Sequence, residues 1–154
     1  MTPAIDLLKK HAVSFKVHSY QHDSRSASYG MEAANELGLP PARVFKTLLV
    51  QADSKELLVA VVPVAHSLNL KRLATAAGVK KLAMAQPDTA QRVTGYLTGG
   101  ISPLGQKKAL RTFVDDSVHD FATVFVSAGR RGLELEISPD CLLRHTVAVS
   151  AVLV

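Results

Sequence analysis

The chain has 154 residues, a formal net charge of +5 and one cysteine. Its length suits a single domain spanning residues 1–154, and its 47% hydrophobic content excludes wholesale disorder. One cysteine excludes an internal disulfide, the N-terminus carries no signal-peptide pattern, and the longest apolar run, Leu57 to Ala65, falls far short of the ~20 residues of a membrane helix. The expectation is a cytoplasmic globular protein with no membrane partner.

In chain order, Thr2 to Ala12 reads as a helix, with Pro3 near its start and Ile5, Leu7 and Leu8 on one face. Ser14 to His22 alternates like a half-buried strand: Phe15 and Val17 are expected inside, and Lys16, His18, Tyr20 and His22 on the other face. Gly30 to Leu37 reads as a helix closed at Gly38, with Pro40-Pro41 enforcing the stop. Val44 to Val50 and Leu57 to Val64 are rich in β-formers and are joined by a polar turn at 52–56, which predicts a hairpin. Helices follow at Leu70 to Ala77, before Gly78, and at Pro87 to Val93, before Gly95. The stretch 95–105 holds four of the nine glycines and reads as a loop of special backbone geometry. Strands are predicted at Arg111 to Val114, Thr123 to Val126, Leu133 to Ile137 and Val147 to Val154, with a short helix at Asp140 to Arg144. The fold class is α/β (α+β): a mixed, mostly antiparallel sheet curled towards a barrel, with flanking helices.

Charge is patterned. The doublets Lys9-Lys10, Lys71-Arg72, Lys80-Lys81, Lys107-Lys108 and Arg130-Arg131 supply 10 of the 18 basic residues. They are either solvated surface positions or, gathered on one face, a footprint for a polyanion.

Lys46 shares a strand face with Val44, Leu48 and Val50. It either snorkels to water or aims its ammonium at a carbonyl oxygen or phosphate in a pocket. The glycine loop fits neither a phosphate loop, because Gln106 stands where the lysine should, nor a nucleophile elbow, because Pro103 has no N–H to give. It is a structural turn or a set of N–H groups at Gly99, Gly100 and Ile101 facing a ligand oxygen. His18 and His22 lack the converging partners of a metal site, so neither a metal nor another cofactor is expected. Cys141, among apolar residues, reads as a structural thiol. Glu134 and Glu136 share one strand face, most simply the wet one. The sharper alternative is a pocket carboxylate opposite Lys46, and Glu136 is taken as that substrate-binding candidate.

Three segments, 44–50, 94–108 and 126–133, together with the opening Thr-Pro-Ala-Ile-Asp-Leu-Leu-Lys-Lys and the His18-x-Tyr20-x-His22-Asp23 strand, resemble the YbaK family. These free-standing proteins are similar to the editing domain inserted in bacterial prolyl-tRNA synthetase. The resemblance covers essentially the whole chain. It implies removal of cysteine from mischarged proline tRNA, or from other cysteinyl-tRNAs, through attack of the substrate's own thiol on its ester, without an enzyme nucleophile. It implies Lys46 as the main functional residue, and Tyr20 and the loop from Gly99 through Gly100 and Ile101 to Ser102 as substrate-binding. The partners implied are the acceptor end of a tRNA and, transiently, prolyl-tRNA synthetase, with no DNA. Alternatives are a deacylase for alanyl- or seryl-tRNA and a non-catalytic tRNA- or synthetase-binding module. Ala128 stands where the family pattern has glycine.

Overall fold

A computed structural model describes residues 1–23, 25 and 28–154. The elements, in order, are α1 (Pro3–Lys10), β1 (Lys16–Ser19), α2 (Tyr29–Leu37), β2 (Phe45–Ala52), β3 (Leu57–Pro63), α3 (Leu70–Ala77), β4 (Leu82–Met84), α4 (Pro87–Thr94), β5 (Thr112–Asp115), β6 (Val124–Arg130), β7 (Leu133–Ile137), α5 (Pro139–Thr146) and β8 (Val149–Ala151). The helix signals hold because each is a local device. The Thr2 hydroxyl caps α1 by accepting the Ile5 N–H, Pro3 fills the first turn, and the Asn69 and Ser138 side chains cap α3 and α5.

The strands form two sheets rather than one curling sheet, and no closed barrel results. One sheet runs β1-β7-β6 and the other β4-β2-β3-β5-β8. β2 and β3 form the expected antiparallel hairpin, with Lys46 opposite Val62. β5 joins β3, and β8 joins β5, in parallel. Among the described residues the other four ladders are antiparallel, so the pairing is mostly antiparallel as expected; these two run parallel because their partners are distant in sequence and linked through helical segments. The last strand shrinks to three residues: Val147 adopts φ 53° as the cap of α5, leaving the chain extended only from Val149. The two sheets meet at an isolated bridge between Val44 and Phe125 and through packing of β2 on β6.

The main core gathers Ile5 and Leu8 of α1 with Phe45, Leu49, Val59, Val61, Val126 and Leu135 from both sheets. A second cluster lies on the other face of the larger sheet, where Leu73, Ala74 and Ala77 of α3 cover Val50, Leu58 and Val62. Burying such side chains stabilises by roughly 1.5–3 kcal/mol each before entropy is counted. Strand β1 corrects its predicted orientation: Val17 is exposed, whereas His18 and Tyr20 are half-buried. Its inner face is polar because it meets the polar side of β7, with His18 opposite Glu134. Among the described residues no helix is long and apolar enough to cross a membrane.

Candidate functional site

Where the two sheets part, a cavity of about 300 Å³ opens between β2, the start of α2, the glycine loop and the β6–β7 pair. That is at the small end of ligand sites, which run roughly 300–1,000 Å³. Its wall includes Lys46 and Thr47 of β2, Tyr29 of α2, Thr98, Gly99 and Ile101 of the loop, Ser127 of β6 and Glu134 of β7. Apolar surface from Val44, just before β2, and from Phe45, Leu48 and Leu49 completes this side.

Lys46 stands half-buried on this wall. No carboxylate among the described residues lies within ion-pair reach of its ammonium. Desolvation alone holds its pKa below the usual lysine value. An unpaired, partly dehydrated cation beside an apolar wall is poised to gain energy from an incoming oxygen anion or carbonyl.

The glycine loop is held by several tethers. Gly99 adopts φ 87°, and a Cβ there would fall 2.5 Å from Nε of Arg131 and 2.6 Å from Cδ2 of Tyr29. The guanidinium of Arg131 stacks 3.8 Å from the Tyr29 ring centroid and donates to the Thr98 carbonyl at 3.0 Å. Gln91 of α4 accepts the Thr98 N–H at 3.0 Å. Behind the loop, the Tyr96 hydroxyl donates to the Leu104 carbonyl at 2.6 Å, and burial pushes this phenol up to about 12. Of the three N–H groups read from the sequence as ligand-facing, that of Gly100 is committed to the Leu97 carbonyl at 3.0 Å. Those of Gly99 and Ile101 have no partner among the described residues, and both residues line the cavity.

The remaining candidates fall in different places. Gly100 lines a second, larger hollow of about 700 Å³ on the other side of the loop, with Leu97, Arg130 and Arg131. Ser102 is fully buried inside the loop, where its Oγ accepts the Leu104 N–H at 3.2 Å and its carbonyl accepts from Gln106 Nε2 at 3.0 Å. Tyr20 is half-buried beside the site, outside the residues that wall it. Burial raises its phenol pKa, and the nearby carboxylates of Glu134 and Glu32 raise it further.

Glu136 is not the pocket carboxylate. It accepts from Thr123 Oγ1 at 2.6 Å and from His18 Nε2 at 2.9 Å, and it pairs with Arg43 at 3.4 Å. Its hydrogen bond from Thr123, with those of His18 and the Arg43 charge, lowers its pKa despite desolvation. Glu134, two residues earlier, lines the cavity instead and is only 7% exposed. Period two puts both on one face but does not show how far along that face the cavity reaches. His22 pairs with Glu32 at 2.7 Å, and among the described residues no three His, Cys, Asp or Glu side chains gather as a metal site. Cys141 is half-buried against the main core. Of the basic doublets, nine residues are exposed and Arg131 is drawn in to tether the loop.

With this geometry in view, residues 26–145 match the profile of the aminoacyl-tRNA editing domain. A protein of Enterococcus faecalis, EbsC, provisionally named a Cys-tRNA(Pro)/Cys-tRNA(Cys) deacylase, is 35% identical over 147 residues, covering 94% of this chain and 88% of that one. The proline–tRNA ligase of Trichlorobacter lovleyi is 32% identical over 97 residues, which cover 63% of this chain and 17% of the ligase. A solved structure described as a candidate trans-editing enzyme for prolyl tRNA synthetase has the same fold, with a TM-score of 0.84 at 22% identity over 98% of this chain and 94% of that one.

Proposed function

The chain belongs to the aminoacyl-tRNA editing domain family, whose activity is deacylation of tRNA, and from that premise we propose that it acts in trans to remove cysteine from mischarged proline tRNA, or from other cysteinyl-tRNAs. Residues 1–154 act as one editing unit. The observation that carries the reading is the unpaired ammonium of Lys46 in a small cavity beside two uncommitted N–H groups. An aminoacyl ester presents matching oxygens. Lys46 holds the 3′-terminal phosphate or the ester oxygen, and the Gly99 and Ile101 N–H groups receive the carbonyl oxygen as negative charge builds on it. Tyr20 bounds the site from the β1 side.

No enzyme nucleophile is required. The substrate thiol attacks its own ester carbonyl, a C–S bond forms, and the ester C–O bond breaks. The thiol proton ends on the departing ribose hydroxyl, giving a cyclic thiolactone and free tRNA. The protein's share is positioning and electrostatics, which suits a cavity whose described residues include no Ser–His or Cys–His pair. Selection for cysteine then follows from chemistry that alanine and serine cannot perform, and a synthetase that admits cysteine by size is corrected afterwards. The exposed lysines and arginines supply attraction to the acceptor end. Prolyl-tRNA synthetase is a transient partner that delivers the right tRNA.

The test is release of labelled amino acid from cysteinyl-, alanyl- and seryl-tRNA in single turnover, with and without prolyl-tRNA synthetase. Cleavage confined to cysteine esters supports the reading. Cleavage of alanyl- or seryl-tRNA favours the other deacylases, and saturable, salt-dependent tRNA binding without cleavage favours a binding module.

A further inference from the structure

Two buried polar atoms in the cavity wall lack a hydrogen-bond partner among the described residues: Oε2 of Glu134 and Oγ1 of Thr47. Leaving such an atom unpaired costs about 1–3 kcal/mol, more when it is charged. The contrast with Glu136 is sharp, since that carboxylate is met by a threonine, a histidine and an arginine. Glu134 accepts from none of the described residues at either oxygen.

Its cross-strand neighbours are Ser127 and His18; the Ser127 hydroxyl accepts the Gly129 N–H at 3.2 Å and makes no hydrogen bond to Glu134, and His18 turns to Glu136 instead. Lys46 shares the cavity but forms no ion pair with it, and burial is the cause of the shift at each group. Burial lifts the Glu134 carboxyl to about 8, so the empty site holds it neutral near pH 7.

The parts of an aminoacyl ester can be distributed over these groups by charge. A cation and two N–H donors suit the phosphate, ester and carbonyl oxygens. None of them can hold the α-ammonium, which needs acceptors. We infer that Glu134 is the receptor for the α-ammonium of the esterified amino acid, with the Thr47 hydroxyl accepting a second of its protons, so that the substrates are tRNA esters with a free α-amine and N-acylated esters are rejected. The inference rests on the deacylase reading and narrows it. When the ammonium enters, the Glu134 carboxyl releases its proton to solvent and the site holds a carboxylate–ammonium pair. An N-acyl group brings no charge and leaves the carboxyl protonated and unpaired.

The test compares cysteinyl-tRNA with N-acetylcysteinyl-tRNA in single turnover. Each rate is normalised to spontaneous hydrolysis of the same ester, because a free ammonium itself activates an ester. Wild type is expected to prefer the free amine by about 100-fold, or about 2.7 kcal/mol. E134Q is expected to bring that ratio below about 5 through weaker half-saturation rather than a slower rate at saturation, and E134D to recover part of it. Independently, calorimetric binding of 3′-cysteinylamido-3′-deoxyadenosine to wild type at pH 6, where the ligand amine is already an ammonium, in two buffers of different ionisation enthalpy, is expected to show close to one proton released. An unchanged ratio in folded E134Q overturns the inference while leaving the deacylase reading standing. Should E134Q not fold, the proton count decides, and no proton released overturns it. Wild type inactive on both esters overturns the deacylase reading and this inference with it.

Discussion

Arg131, at the β6–β7 turn, stacks on Tyr29, the first residue of α2, with 3.8 Å between the guanidinium carbon and the ring centroid. The same guanidinium holds the Thr98 carbonyl, so one side chain joins the turn, the helix and the glycine loop around one cavity.

Cutting that tie is expected to disturb the site more than the fold. R131A should lower the single-turnover rate on cysteinyl-tRNA by about 10-fold, equivalent to about 1.4 kcal/mol of barrier. Because Arg131 lies outside the core, Tm should fall by less than ~4 °C. Equal losses of activity and folded fraction in a thermal melt would count against a positioning role.

Lys46 is predicted to trade stability for activity. K46A should lose about 10²–10³-fold in single-turnover rate, the usual range for removing one transition-state oxygen contact. K46M, which fills the space without a charge, should be equally inactive yet melt at the same or a higher temperature, since no partner is orphaned and a desolvation cost is removed. Deacylation by K46A within ~3-fold of wild type would falsify the catalytic role.

Glu134 gives the empty protein a specific pH dependence. Its folded pKa, about 8, lies above the ordinary 4.5. At low pH both folded and unfolded chains hold the proton and no penalty exists. Between about 4.5 and 8 only the unfolded chain releases it, so this group erodes stability as pH rises, by up to ~1.4 kcal/mol per pH unit. E134Q should therefore gain on wild type as denaturant melts move from pH 5 to pH 8. A constant difference across that range would contradict the burial of an unpaired carboxyl.

Adjacent positions in β6 should respond in opposite ways. Ala128 is fully buried without positive φ, and its carbonyl receives the Thr2 hydroxyl proton, so A128G should cost under ~1 kcal/mol and leave activity unchanged. Gly129 has φ 116°, and a Cβ there would stand 2.9 Å from Thr2 Cβ and from Tyr96 Cε1. G129A should cost at least ~1–3 kcal/mol in urea unfolding. The positive φ of this stretch falls at Gly129, within the irregular register between Ser127 and Arg130.

These contrasts also show where sequence reading reaches. Helix ends at Gly38, Gly78 and Gly95, the β2–β3 hairpin and the loop at 95–105 were legible because a few neighbouring residues determine them. Strand β4 was not foreseen: three residues with only Leu82 buried carry no periodicity. The parallel joins of β5 and the outward turn of Val17 depend on partners far along the chain. At the site, Lys46 was marked by its odd company on an apolar strand. Thr47 was invisible, because a threonine in a strand is ordinary and only the missing partner makes it notable. That Glu134 rather than Glu136 lines the cavity is not legible from period two, because the partners that engage Glu136, namely Arg43, His18 and Thr123, come from three other segments.

The bridge between Val44 and Phe125 is a slender joint between two otherwise separate ladders, and the cavity opens beside it with walls from both. A ligand lodged there acts as a clasp across the seam. Its occupancy adds to the shared core in resisting sliding of one sheet past the other. Amide exchange should then slow together in β2 and in β6–β7 on loading, two segments that share almost no backbone hydrogen bonds.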